Sequence, residues 1–131
     1  MKAIILPIKP QFVTKIFSGK KRYEFRKKLC KDKIQRIIIY ETAPVKKVVG
    51  EVDVIKTIYG LKDSVWEKCK QFAGITKEEY NAYFKDCSVA CAYEIDNPRR
   101  YNTPKYKEEY GIHYQVQSFV YINVEDENTQ M

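Results

Sequence analysis

Residues 8–28 read Ile8-Lys9-Pro10-Gln11-Phe12-Val13-Thr14-Lys15-Ile16-Phe17-Ser18-Gly19-Lys20-Lys21-Arg22-Tyr23-Glu24-Phe25-Arg26-Lys27-Lys28, and two periods meet within them. Phe12, Val13, Ile16 and Phe17 recur at helical spacing behind a proline suited to a helix's first position, and Gly19 stands where a left-handed residue ends the helix. Beyond the glycine, Tyr23 and Phe25 alternate with Arg22, Glu24 and Arg26, the period of a strand with rings on one face and charges on the other. A short amphipathic helix therefore runs into a basic, aromatic strand. That chemistry suits a polyanion, with cations for phosphates, rings for stacking on bases, and one carboxylate to accept from a base edge or to hold an arginine. Each part also has a plainer reading. The charged row is equally a solvated Arg–Glu–Arg ladder on a half-buried strand, Lys20 and Lys21 suit the helix C-terminus, and the two rings suit a core.

Working outward, residues 3–8 form an apolar run expected as a first strand buried on both faces. Residues 34–40 are the strongest strand signal, followed by a turn at Glu41-Thr42-Ala43-Pro44 and a second long β segment over 47–55, where Gly50 permits a bulge or sharp bend. Two helices come next. Leu61, Val65, Cys69 and Phe72 share one face of the first, with Trp66 as a packing residue and Gly74 closing it, while Thr76 and Glu79 form a capping box for the second, which carries Tyr80, Tyr83 and Phe84. Residues 89–95 return to strand, 97–101 read as a basic turn whose Arg99 and Arg100 are either solvated or extend a basic face, and 118–122 supply a closing strand. Five or six strands with helices inserted between them fit an α+β chain built on a small mixed barrel better than a parallel sheet, which needs regular strand–helix alternation.

A chain of 131 residues with 44% apolar content suits one domain, expected over residues 1–124 with a frayed tail at 125–131. No segment approaches the roughly 20 continuous apolar residues that span a bilayer, and the start is too short and soon too basic for a secretory signal, so a cytoplasmic protein without membrane contact is expected. Cys30, Cys69, Cys87 and Cys91 are scattered and His113 is the single histidine, a pattern that fits free thiols rather than a zinc site, a disulfide framework or a Cys/His nucleophile. No metal or cofactor is expected. The net charge of +7 conceals an asymmetry: residues 1–50 carry +11 and residues 51–131 carry −4. A domain folded from both halves would take a basic face from the first, which attracts phosphate backbones in a salt-dependent way, although lysine-rich surfaces also serve solubility alone.

The ordered run I-x-P-x-x-x-x-x-I-x-x-G-x-K-x-x-E-x-R spans Ile8 to Arg26. With Tyr40-Glu41-Thr42, Val48-Val49-Gly50-Glu51-Val52, the paired helices and Gln117-Ser118-Phe119-Val120-Tyr121, it resembles the ASCH domain family over almost the whole chain. The resemblance implies a PUA-like β-barrel with a cleft beside the first helix, and an association with RNA and with control of transcription or translation. On it, Lys9, Lys21 and Arg26 are the expected phosphate or base contacts, Glu24 orients an arginine or accepts from a base edge, and Tyr40, Thr42 and Ser118 shape the cleft. One branch of the family removes the acetyl group from acetylated cytidine with a lysine, a threonine and a glutamate. Here Lys21 matches the lysine, but Glu24 stands where the threonine hydroxyl is required, which argues against amidase chemistry; Glu67 is the position offered for the glutamate. A ribonuclease, as some relatives are, and a protein-interaction module are the other readings. RNA or a nucleotide is the expected partner.

Overall fold

The computed structural model describes residues 1–124, and the expected tail at 125–131 lies outside them. The elements are β1 (Lys2–Ile8), α1 (Pro10–Phe17), β2 (Tyr23–Arg26), β3 (Arg36–Glu41), β4 (Lys47–Leu61), α2 (Lys62–Cys69), α3 (Lys77–Tyr83), β5 (Val89–Lys105) and β6 (Val120–Asn123). Pro10 opens α1, Gly19 follows it at φ 81°, and Thr76 and Glu79 cap α3 reciprocally, as their sequence positions require.

The strands form one mixed six-stranded sheet in the order β2-β5-β4-β3-β1-β6, in which β1 and β3 are parallel and the remaining pairs antiparallel. The fold is α+β, but the sheet is not closed into the expected barrel: among the described residues no ladder joins its end strands β2 and β6. The reason lies at the end of β1. Strand β6 pairs only with residues 2–5 of β1, which leaves residues 6–8 without a strand on that flank. In their place the Arg26 guanidinium, at the end of β2, donates from Nη2 to the Pro7 carbonyl at 2.7 Å. The N and O of one residue point to the same side of a strand, so the flank that meets Arg26 is also the one where Pro7 lacks a donor, and a regular ladder there would be incomplete. A side chain bridges what backbone does not.

Strand β1 is buried on both faces, which explains its unbroken apolar run. Ile4, Leu6 and Ile8 join Val13 and Ile16 of α1 with Ile37, Ile39, Val49, Val52, Tyr93 and Ile95 in one core, while Ile5 packs with Ile38, Tyr40, Val48, Ile112 and Val116 on the other face. A third cluster lies under α2 and α3, where Phe25, Val65, Trp66, Cys69, Tyr80 and Phe84 meet Ala90 and Ala92 of β5. Cys30, Cys69, Cys87 and Cys91 are all free thiols. No helix of the described residues is long and apolar enough to cross a membrane.

Two local expectations are corrected. Leu61 does not join the apolar face of α2; it ends β4 and is exposed, and a 3-10 turn over Lys70–Phe72 separates α2 from Gly74. Residues 97–101 are not a turn. Strand β5 runs through them to Lys105, absorbing Asn97 at φ 52° in a stretch of shifted register against β4. Arg99 is held there by Glu51 and by Asp53, whose Oδ1 lies 2.9 Å from Nη2; Arg36 approaches Glu51 at 3.0 Å, and the Tyr101 hydroxyl donates to Glu51 at 2.7 Å.

Burial opposes ionisation of Glu51, but the Tyr101 hydrogen bond and the two guanidinia outweigh it and hold the carboxyl below its ordinary value of 4.5. A carboxylate whose folded value is depressed contributes stability that is complete above about pH 4.5 and lost as pH falls through the folded value. Glu51→Gln is therefore expected to lower the unfolding free energy by about 2–4 kcal/mol at pH 7, because two guanidinia lose the carboxylate that both approach. The difference from the parent should shrink in urea titrations at pH 3; a deficit independent of pH would mean that shape rather than charge is at stake.

Candidate functional site

The turn after α1 sends Lys21 inward. The amides of Lys20 and Lys21 both donate to the Lys15 carbonyl, at 3.0 and 3.1 Å, so the chain folds under the helix end and β2 starts beneath it. Lys21 is only 3% exposed. Its Nζ donates to the Ala73 carbonyl at 2.7 Å, lies 4.0 Å from Glu24 Oε1, and sits about 5 Å above the Phe12 and Phe25 rings, at 5.2 and 5.0 Å. Burial pulls this ammonium below the usual lysine value, against the attraction of Glu24, and repulsion from Lys15 and Arg26 adds to the fall.

Glu24 is buried on the polar side of β2, where its Oε2 accepts from Arg26 Nη2 at 2.8 Å. The same Nη2 reaches Pro7, while Arg26 Nε, shielded from solvent, has no hydrogen-bond partner among the described residues. The alternation of β2 thus sends Phe25 to the α2–α3 cluster and brings Glu24 and Arg26 together, in a buried row rather than a solvated ladder.

These side chains form the floor of a cavity of about 400 Å³, within the range of small-ligand sites. One wall is Pro7, Ile8, Lys9 and Phe12 from β1 and α1, and the other is Ile75, Glu79, Ala82 and Tyr83 around α3. Three cations face two carboxylates, so the cavity is polar at chosen points and less basic than the sequence asymmetry suggested. It can hold a flat ring against Phe12 and Ile75, present Glu24 as an acceptor, and meet an anion with Lys9 and Arg26.

Lys9, Lys21, Glu24 and Arg26 are thus gathered in one place. Ser118 is exposed in a neighbouring cavity of about 360 Å³ that shares Arg26 as a wall. Tyr40 and Thr42 line neither cavity. Tyr40 is 8% exposed and packs with Ile5, Ile38 and Val48, and Thr42 gives its backbone N–H to the Ile8 carbonyl at 3.0 Å. Glu67 points outward to Lys70 at 2.8 Å, and Glu79 is the carboxylate of the α2–α3 region that faces the cavity. Sequence reading overlooked Phe12, Ile75 and Tyr83 as cavity walls. It recognised Glu79 only as a cap, and no local pattern announces that α3 docks over β2.

One backbone position tunes the site. Gly74 has φ 70°, and a Cβ there would fall 2.5–2.9 Å from Cβ, Cγ and Cδ of Lys21. Any side chain at this position would both strain the left-handed backbone and displace the buried lysine.

A family model described as a domain of unknown function, DUF365, matches residues 1–114. The chain belongs to the DUF365 family. The resemblance to the ASCH family that the motif order carries is supported by a solved structure and a curated relative of that name. A crystal structure of a tyrosine-to-phenylalanine variant of the Zymomonas mobilis ASCH protein has a TM-score of 0.85 at 26% identity, covering 94% of this chain and 91% of that one. Among curated relatives, an ASCH domain-containing ribonuclease of Zymomonas mobilis is 31% identical over 93 residues, 70% of the DUF365 chain and 63% of that protein. A large ribosomal subunit protein uL22 of Ureaplasma parvum is 34% identical over 91 residues, 70% of this chain and 29% of that protein. The DUF365 chain thus matches less than two thirds of the length of these curated relatives.

Proposed function

We propose that this protein binds RNA or a modified nucleotide, taking one unpaired base or nucleoside into the cavity between α1, β2 and α3, in a regulatory role in transcription or translation. The buried Lys21–Glu24–Arg26 set carries the reading. A desolvated carboxylate flanked by two cations is expensive to maintain for packing alone, and it matches a base edge next to a phosphate: Glu24 accepts from an exocyclic amine, while Arg26 and Lys9 meet the phosphate. The volume of about 400 Å³ and the apolar walls support a single base rather than a duplex. Among the described residues the cavity lining contains no serine or threonine hydroxyl, which supports binding over acetyl transfer to a side chain.

A ribonuclease reading is favoured by the name of the Zymomonas relative and by Lys21 itself, whose lowered pKa beside a carboxylate suits proton transfer to or from a ribose oxygen. One experiment separates the readings. Purified protein is titrated with an RNA pool at low and high salt, and the recovered RNA is analysed by mass spectrometry. Salt-sensitive binding with unaltered RNA is expected. New chain ends would establish the ribonuclease, a lost acetyl group the amidase, and salt-insensitive capture of protein partners with no RNA bound at low salt would overturn the proposal in favour of an interaction module.

A further inference from the structure

The second cavity is unlike the first in one respect: among the described residues no acidic side chain lines it. Arg26, Lys28 and Lys31 supply its charge, and Phe119 and Tyr121 its rings, packed edge to face with centroids 5.2 Å apart. Its lysines sit on the chain between β2 and β3, which is tied down by backbone. The Cys30 amide donates to the Tyr93 hydroxyl at 2.9 Å and the Asp32 amide to the Tyr121 hydroxyl at 3.0 Å. Lys28 and Lys31 are exposed, yet they leave from a fixed loop rather than a loose one. Arg26 is the wall common to both cavities, and its guanidinium still holds a shielded Nε without a partner among the described residues.

We propose that the two cavities are consecutive subsites for single-stranded RNA, with Arg26 on the phosphate between two nucleotides. The first nucleoside lies in the Glu24 cavity, the second base rests on Phe119, and Lys28 and Lys31 meet the phosphate beyond it. The inference rests on the RNA-binding reading above and gives it a minimum length. It excludes a duplex, whose paired bases cannot separate into two cavities, and it makes the protein a reader of a strand rather than of a free nucleotide.

The test is calorimetric titration of the whole protein with 5′-mononucleotides, and with RNA dinucleotides and tetranucleotides, at two salt concentrations. The dinucleotide is expected to bind about 10- to 100-fold more tightly than a mononucleotide, the increment of one stacked base with its phosphate contact. Phe119→Ala should remove most of that increment and leave mononucleotide affinity unchanged. Because Phe119 is half-buried, the double variant Lys28→Gln/Lys31→Gln, confined to exposed side chains, provides a second route: it should flatten the salt dependence of tetranucleotide binding and spare the mononucleotide. A dinucleotide that binds no better than a mononucleotide, or variants that weaken both alike or neither, would overturn the second subsite while leaving the first intact. Absence of binding by every probe at low salt would remove the RNA reading, and the subsites with it.

Discussion

Lys21→Met is expected to weaken RNA or nucleotide binding by about 30- to 300-fold while the protein stays folded, the loss of roughly 2–3 kcal/mol that accompanies removal of one charged partner from a desolvated set. Methionine matches the length of the lysine stem and fits between the Phe12 and Phe25 rings, so the cavity floor keeps its shape. What disappears is the charge 4.0 Å from Glu24 and the bond to the Ala73 carbonyl. Glu24 then draws Arg26 entirely to itself, and the guanidinium offered to a phosphate is partly neutralised. Stability should change little, because relief from burying an ammonium offsets the lost hydrogen bond. The parent protein carries a second signature. Since burial holds the Lys21 pKa below the ordinary value of 10.5, its ammonium is lost at a lower pH than that of an exposed lysine, so affinity should decline earlier on raising the pH than an exposed lysine would dictate. The variant should lack this decline. A folded variant that binds as tightly as the parent would dismiss Lys21 from the site.

Gly50→Ala is expected to destabilise the fold strongly. Gly50 lies in β4 between Ile39 of β3 and Arg100 of β5, and an added Cβ would run into the Arg99 carbonyl oxygen and the edge of the Phe17 ring. The half-buried Phe17 ring has some room to swing, but the Arg99 and Arg100 backbone of the neighbouring strand does not. A loss of about 3 kcal/mol or more is expected in urea unfolding. Gly60→Ala, in the same strand, is the internal control: its Cβ would meet only Val65 Cγ2 at 3.7 Å. Equal effects at the two glycines would show that strand propensity, not close approach, governs both.

The legible parts of the fold were those written locally. Pro10, the apolar spacing of α1, Gly19 and the alternation of β2 are each decided within a few residues, and they place Lys21, Glu24 and Arg26 on adjacent elements before any tertiary contact is considered. The illegible parts depend on partners far along the chain. Asn97-Pro98-Arg99-Arg100 reads as a turn because its local chemistry is that of a turn, yet Glu51 and Asp53 on β4 extend Arg99 into strand. Closure of the barrel could not be judged from strand count, because it fails at the short register of β6 against β1. Tyr40 had to choose one of two buried faces, and alternation within β3 placed it with Ile38 rather than with Ile37 and Ile39. The helical wall of the cavity was invisible for the same reason: Glu79 serves its own helix by a local rule, and its approach to the site comes from how α3 is docked.

The bond from Lys21 to Ala73 joins positions 52 residues apart, and the intervening chain includes β3, β4 and α2. A site closed by such a contact pays its loop-closure entropy in full before it exists, so it belongs to the late events of folding even though its charged residues stand near the N-terminus. A growing chain that has emerged only through β3 already carries Lys21, Glu24 and Arg26, but it lacks the carbonyl that draws the lysine inward. Competence to bind would then arrive abruptly, with the docking of the helical excursion, and ligand capture would serve as a clock for the final stage of folding rather than for the appearance of the sheet.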